Sequence, residues 1–492
     1  MKNKIKNIAL TIINNDFKRI IIELILFVFL FNLNQYVGLV FFLLVLFETI
    51  ICKKNTNLLY IYIFLSFFDE VLIFDLLQGS ISRIIMIVVS IKLGLFTIKN
   101  RIFPNKIQFS LALFFLISCL IEFFIIGFNF STIIVLINIY IFILFSMCIK
   151  FKKANEMNDF IEKLCLTIVF AVLFSIIYGI CTNNFLVQII DYEKNSKIFR
   201  FNGTYEPNFM CMYINLGILS LLTVKEKFNK IWYFAIFAIM INFAILTASM
   251  TGLITLAFSI FIYLVYNFKN KKINYKNLLI ISIASLVLFF IINVITNQFN
   301  NNKSQSEKIE ITESIKEKED DLNEEQKEDK ESIKEENNVV EENEDAKIEK
   351  GSPIIQRINR IKNLILERKL DDITSGRLPL LRTFIKASFD RPIFNILFGN
   401  GVTTKKIFCT FFNRECLSHN TYADFLYNFG VIGFVLIIWF LSYKTRKNVF
   451  SNFNLKNSKY ETNIKIIRIM LLLYSLSLTL YTKRMFLIFF LL

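Results

Sequence analysis

Histidine is almost missing from this chain of 492 residues, which contains one, His419. An imidazole has an ordinary pKa near 6.5, so proton uptake by histidine near neutral pH falls to that one residue; the other reading of His419 is a polar residue at a loop edge. No small-residue cleavage site follows the first apolar run. The basic start, with Lys2, Lys4, Lys6, Lys18 and Arg19, therefore reads as the flank of an uncleaved anchor helix. Segments of about ten residues with alternating polarity are also missing, which excludes a membrane β-barrel. Of eight cysteines, Cys52, Cys119, Cys148, Cys165, Cys181 and Cys211 lie inside apolar runs, where a thiol behaves as a small hydrophobe. Only Cys409 and Cys416 fall outside. They form a disulfide or stay as two free thiols, depending on whether their side of the membrane is oxidising.

What the chain has in abundance is apolar sequence in long runs. Hydrophobic residues make up 55%, 56 of them Phe, with a mean hydropathy of +0.53. A helix crossing the hydrocarbon needs about 20 mostly apolar residues. Candidate runs recur from Ile20 to Cys52 (two passes), Leu58 to Leu77, Ile81 to Ile98, Ile107 to Phe128, Ser131 to Ile149, Leu164 to Cys181, Pro207 to Val224, Ile231 to Thr247, Thr251 to Phe268, Leu278 to Ile295, Phe425 to Tyr443 and Ile464 to Leu480, with a short one from Met485 to Leu492. The expected fold is an all-α, polytopic membrane helical bundle of about twelve transmembrane helices with a large external loop. It divides at 1–296, 297–421 and 422–492.

The net charge of +16 would suggest nucleic acid in a soluble protein. Here the positive-inside rule explains it, so the expected surroundings are membrane lipids, with no nucleic-acid partner. With the N-terminus inside, the clusters at Lys53-Lys54, Lys99 to Lys106, Lys150 to Lys153, Lys225 to Lys230, Lys269 to Lys276 and Lys444 to Lys447 all fall on the cytoplasmic side, and the first misplaced pair is Lys483-Arg484. The same count places 183–206 and 297–421 outside. Within the longer loop, 303–350 has 19 acidic residues against 9 Lys, a local net charge of −10 that leaves +26 elsewhere. Without aromatic residues it cannot bury a core, and it reads as a low-complexity surface insertion. The stretch 353–400 then reads as amphipathic helices. The first of these sets Ile354, Ile358, Ile361, Ile365 and Leu366 against Arg357, Arg360, Lys362, Arg368 and Lys369, and lies on the membrane or packs on the bundle.

Four polar clusters are harder to explain as solubilising loops, and all sit at external ends of spans. In the first, Arg200 to Asn208, Gly203 allows a tight turn, Pro207 suits a helix start, and Arg200 either holds a phosphate bidentately or belongs to a plain loop-to-helix cap. The second is the turn Thr247 to Gly252, with Ser249. The third runs from Ser375-Gly376-Arg377 to Asp390-Arg391-Pro392 and Gly399-Asn400-Gly401. The fourth is Ser418-His419-Asn420-Thr421-Tyr422, leading to Gly430 and Gly433.

In order and placement these four motifs resemble the O-antigen ligase and O-antigen polymerase superfamily of bacterial envelope enzymes, over about Leu164 to Tyr443. The resemblance implies transfer of a glycan from an undecaprenyl-diphosphate carrier to an acceptor hydroxyl, the lipid A core for a ligase or another lipid-linked glycan for a polymerase. It implies the inner membrane with a periplasmic active site, His419 as the base, Arg377 and Arg200 as diphosphate ligands, and neither metal nor cofactor. Gly203, Pro207, Asn208, Ser249, Gly252, Gly376, Asn420 and Tyr422 would support the motifs. One departure stands out: the family often carries an Arg where this chain has Met250. A competing class is a flippase or transporter, for which Glu23, Glu48, Asp69, Glu70, Asp75, Lys92 and Glu122 in or near early spans would line a path.

Overall fold

The apolar runs fold as helices whose boundaries are set by local caps. The structure, a computed structural model, describes residues 16–74, 79–127, 130–151, 153–182, 186–191, 196–269, 377–403, 406–410, 413–446, 460–478 and 480. The predicted segments 278–295, 303–350, 353–369 and 485–492, together with Ser375 and Gly376, lie outside the described residues.

Helices α1 (Asp16–Leu33) and α2 (Gln35–Ile51) form a tight antiparallel pair. Asn34 turns the chain between them, its Oδ1 accepting the N–H groups of Tyr36 and Val37 at 2.9 and 3.3 Å. Gly38 lets the backbones close up, since a Cβ there would lie 2.2 Å from Phe31 Cα. The run from Leu58 to Leu77 is not one continuous helix. Helix α3 (Asn55–Ser66) has only 12 residues, about 18 Å of rise, and Asn57 to Ser66 are all buried. The chain then turns into a two-stranded hairpin, β1 (Ile73–Phe74) and β2 (Gly79–Ser80). Hydropathy alone could not separate a short, wholly buried helix from a spanning one.

Next come α4 (Ser82–Lys99), α5 (Lys106–Ile126), α6 (Phe130–Cys148) and α7 (Ala154–Cys181). A capping box starts α5: Asn105 accepts from the Gln108 N–H, and Gln108 accepts from the Asn105 N–H, both at 2.8 Å. A second hairpin, β3 (Leu186–Asp191) with β4 (Ser196–Phe201), leads into α8 (Pro207–Thr223). Every side chain of α8 from Met210 to Thr223 is buried, against α7, α9 (Lys230–Leu246), α10 (Met250–Lys269) and α14 (Glu461–Ser475). α8 is the central helix.

After α10 the described chain resumes with α11 (Arg377–Phe389) and α12 (Ile393–Phe398), a third hairpin of β5 (Ile407–Cys409) and β6 (Arg414–Cys416), and α13 (Thr421–Arg446). Helix α13 is broken at Gly430 (φ 64°, ψ −176°). The loop after α12 fills the break: the N–H groups of Asn400 and Gly401 donate to the Asn428 carbonyl at 2.8 and 3.0 Å. Broken helices survive in a membrane protein only where the released backbone groups find partners of this kind.

The chain is therefore mostly helical, and the described residues add three two-stranded hairpins to the all-α expectation. Among the described residues, three helices can cross a membrane by length and composition: α5, α7 and α13. Five shorter apolar helices, α2, α6, α8, α9 and α10, accompany them. Among the remaining predicted spans, α1 carries Asp16, Lys18, Arg19 and Glu23, α4 carries Arg83, Lys92 and Lys99, and α14 has 15 residues.

Of the charged groups that a transport path would need, Glu23, Glu48, Asp69, Lys92 and Glu122 act as clamps. Glu48 takes the Arg19 guanidinium at 2.7 Å, with Glu23 at 3.5 Å from the same group. Lys92 donates to the carbonyls of Thr49, Ile50 and Cys52 and so caps α2. Asp69 accepts from Ser82, whereas Asp75 lies outside the described residues. Buried Glu122 receives the N–H groups of Val402 and Thr403 at 2.7 and 3.2 Å, together with the Thr403 hydroxyl, which ties α5 to the loop beyond α12.

Candidate active site

The four polar motifs converge at one end of the bundle, where α8, α10 and α13 begin and α9 and α14 end. Pro207 occupies the first turn of α8, as its missing N–H and fixed φ favour. The turn before it uses Gly203 in the left-handed region (φ 58°), packed on Met210 and Phe201. Arg200, at the end of β4, is buried. Its Nε donates to the Thr247 carbonyl at 2.6 Å and its Nη2 to Asn208 Oδ1 at 2.9 Å. The Asn208 amide in turn donates to Glu206 Oε1 at 2.8 Å. The first motif is thus fastened to the second, and the fastening ends on an exposed carboxylate.

The second motif reverses the chain through Ala248, a left-handed non-glycine residue (φ 47°). Ser249 Oγ accepts from the Gly252 N–H at 3.4 Å, and its carbonyl accepts from Leu253 at 2.9 Å, which starts α10. Gly252 is required by close packing: a Cβ would lie 2.3 Å from Cys211 Sγ. Its carbonyl accepts from the Asn215 amide of α8 at 2.8 Å, and that amide also reaches the Tyr474 hydroxyl of α14.

Arg377 reaches this same turn from α11, donating from Nη1 to Thr251 Oγ1 at 2.9 Å. Two guanidinium groups, Arg200 at Thr247 and Arg377 at Thr251, therefore bracket Met250, the position where the family pattern has its own Arg.

His419 sits in the left-handed region (φ 49°), half-buried, between two anchored neighbours. On one side Ser418 donates to Asp424 Oδ1 at 2.6 Å. On the other, Asn420 caps α13, its Oδ1 accepting from Tyr422 and Ala423, both at 3.0 Å, while its amide donates to the Leu476 carbonyl at 2.8 Å. Thr421 and Tyr422 donate to the carbonyls of Leu478 and Leu472, so α14 holds the whole His-Asn-x-Tyr segment in place.

The electrostatics join the motifs. Burial pushes the His419 imidazole below its ordinary value, Glu206 pulls it back up, and Arg377 pushes it down again. Burial likewise lowers the Arg377 guanidinium, which Glu206 offsets. Glu206, Arg377 and His419, drawn from three motifs, therefore share one field, and an imidazole that is neutral at pH 7 can accept a proton there.

Sequence reasoning gave no separate role to Glu206 or Thr251, and read Glu122 only as a charge that could line a path. Glu206 had a signal: it directly precedes Pro207 at the start of α8, yet its side chain makes no capping bond to its own helix. The expected alternative of a Cys409 to Cys416 disulfide is overturned. Both thiols are free. The β5–β6 register pairs Cys409 with Arg414 and Cys416 with Ile407, so the cysteines are diagonal neighbours, about 7–8 Å apart and too far for an S–S bond. Cys409 packs instead against the Thr383 hydroxyl at 3.7 Å.

A family model described as O-Antigen ligase matches residues 235–438. Over those residues the chain is similar to the O-antigen ligase family. No curated protein and no solved structure matches the chain. The matched residues take in the Ser249 turn, Arg377 and His419, whereas the Arg200 to Asn208 motif precedes them and is brought to them by the fold. That family implies a membrane glycosyltransferase-like enzyme of ligase or polymerase type, working on lipid-linked glycans.

Proposed function

We propose that the chain transfers a glycan from an undecaprenyl-diphosphate carrier to a hydroxyl of the lipid A core, on the periplasmic face of a bacterial inner membrane. The observation that carries this reading is the convergence of the motifs: Arg200 bonded at Thr247, Arg377 bonded at Thr251, and His419 held between the anchored Ser418 and Asn420. Neutral His419 takes the proton of the acceptor hydroxyl as its oxygen bonds to the sugar's anomeric carbon. The bond from that carbon to the diphosphate oxygen breaks, and the carrier diphosphate leaves. Arg377, with Arg200 behind it, balances the charge that grows on the leaving group, and the N-termini of α8, α10 and α13 add their positive dipole ends. Glu206 opposes complete loss of imidazole basicity and steers the Arg377 fork. The clamping of Glu48, Lys92 and Glu122 into helix contacts favours this chemistry over a transport path.

Transfer in vitro from a carrier-linked glycan tests the assignment. His419→Ala should insert normally and bind donor yet lose about 10²-fold or more of turnover, the usual contribution of a general base. Arg377→Lys should already be impaired, since a point ammonium cannot reproduce a bidentate fork. Near-wild-type turnover in His419→Ala refutes the base. Surface glycans of a deletion strain separate the acceptors: polymer accumulating on the carrier means a ligase, single repeat units on the core mean a polymerase. The orientation is tested by reporter fusions, cytoplasmic at Lys271 and external at Glu325.

A further inference from the structure

A cavity of about 650 Å³ is walled by the second half of α11, the Asp390 to Pro392 bend, α12, β5 and Tyr427 of α13. None of its lining residues has a role in the chemistry above. Its polar groups include Lys386, Asp390 and the amides of Asn395 and Asn400, the first donating to the Oδ1 of the second at 2.7 Å, and its rings are Phe408 and Tyr427. Phe408 is 53% exposed at the middle of strand β5.

The guanidinium in the wall is occupied. Arg391 donates to the carbonyls of Ser388 and Tyr427 at 2.8 and 2.7 Å and lies 4.7 Å above the Tyr427 ring, so it builds the wall and is not aimed at a ligand. A diphosphate site would need guanidinium groups facing the ligand. Amides, one carboxylate, one ammonium and an exposed ring suit a different ligand. Hydroxyl-rich rings pair their O–H groups with amides and carboxylates and lay an apolar face on an aromatic side chain.

We propose that this cavity is a saccharide-binding subsite. Position supports it: Arg377 opens α11, and Lys386 and Asp390 lie about 10 to 20 Å further along the same helix. A glycan attached at the reaction centre can run along α11 into the cavity. The proposal rests on the glycan-transfer reading, and the saccharide comes either from the donor glycan or from the acceptor core.

The experiment uses the full chain in lipid nanodiscs with two soluble probes: the repeat-unit oligosaccharide released by mild acid from the organism's own surface polymer, and its delipidated core oligosaccharide. Binding is measured by saturation-transfer NMR for wild type, Phe408→Ala and Asp390→Asn, and transfer kinetics are run in parallel. Both residues line the cavity away from the reacting groups. In each variant one probe should bind about tenfold more weakly, the effect of losing one buried contact, with KM for the matching substrate raised likewise and kcat unchanged. Weakened repeat-unit binding assigns the cavity to the donor, and weakened core binding to the acceptor. Wild type that binds neither probe, or variants with unchanged Kd and KM for both, overturn the subsite. Wild type that binds a probe in a Phe408-dependent way but transfers nothing overturns the catalytic reading and leaves the subsite standing.

Discussion

The interlock between the loop after α12 and the break in α13 makes Gly399→Ala a sharp probe of the architecture. Gly399 has φ 83° and ψ −164°, a region that side-chain-bearing residues enter at a cost of about 1–3 kcal/mol. An added Cβ would also lie 2.0 Å from the Asn428 carbonyl oxygen, a backbone atom that cannot swing aside. Relief requires the loop to lift. That breaks the bonds from Asn400 and Gly401 to Asn428, worth about 1 kcal/mol each net and more when the donors stay buried. The expected destabilisation is about 4–6 kcal/mol. Gly127 supplies the control, with φ 94° and ψ −173° but nothing within 4 Å of its Cβ position, so Gly127→Ala should cost only the conformational 1–3 kcal/mol or so. Thermal unfolding of the two variants in the same detergent, followed by a tryptophan or thiol probe, separates them. If Gly399→Ala melts no lower than Gly127→Ala, the interlock does not hold the loop and the account of the α13 break is wrong.

Other outcomes follow from the same geometry. Transfer should lose rate on the acid side below pH 6.5, where His419 protonates, and Glu206→Gln should move that limb to still lower pH, because Glu206 raises the imidazole; a limb that moves upward refutes the shared field. The same depressed His419 contributes stability above its unfolded value of about 6.5 that is lost as pH falls through the folded value, measurable as a melting temperature that declines with acidification. Asn420→Ala removes the α13 cap and the bond to Leu476, so it should cost about 1–2 kcal/mol and lower turnover, while Asn420→Asp keeps the cap but sets a carboxylate oxygen against the Leu476 carbonyl and should recover only part of the stability. Alkylation of the unreduced, unfolded chain followed by mass analysis should label both Cys409 and Cys416; a linked peptide would contradict the hairpin register.

Much of the helical plan was legible because single apolar runs bounded by polar caps fix their own ends. Pro207–Thr223 and Lys230–Leu246 lie within a residue of the runs read from hydropathy. The length of α3 was not legible, because burial by protein and burial by lipid select the same side chains. The four motifs were legible as polar residues at helix ends, but their mutual contacts were not. Arg377 meets Thr251 across 126 positions, and Val402 meets Glu122 across 280, and no local pattern encodes such pairs. Glu122 illustrates the gap: in the sequence it is a charge in an apolar run, and only the fold reveals the backbone N–H groups that neutralise the cost of burying it.

The solitary histidine has a practical consequence. Its backbone is pinned on both sides by Ser418 and Asn420, and no second imidazole exists in the 492 residues. A chain grown with isotope-labelled histidine and without added tags therefore yields one set of ring resonances, assigned without any mutant. Its chemical shift titrates a single site, and addition of a carrier diphosphate registers as a change at one known atom group. Histidine-directed acylation gains the same selectivity: one equivalent of modification is occupancy of one position, and protection by donor or acceptor becomes a direct readout of which substrate covers the imidazole first.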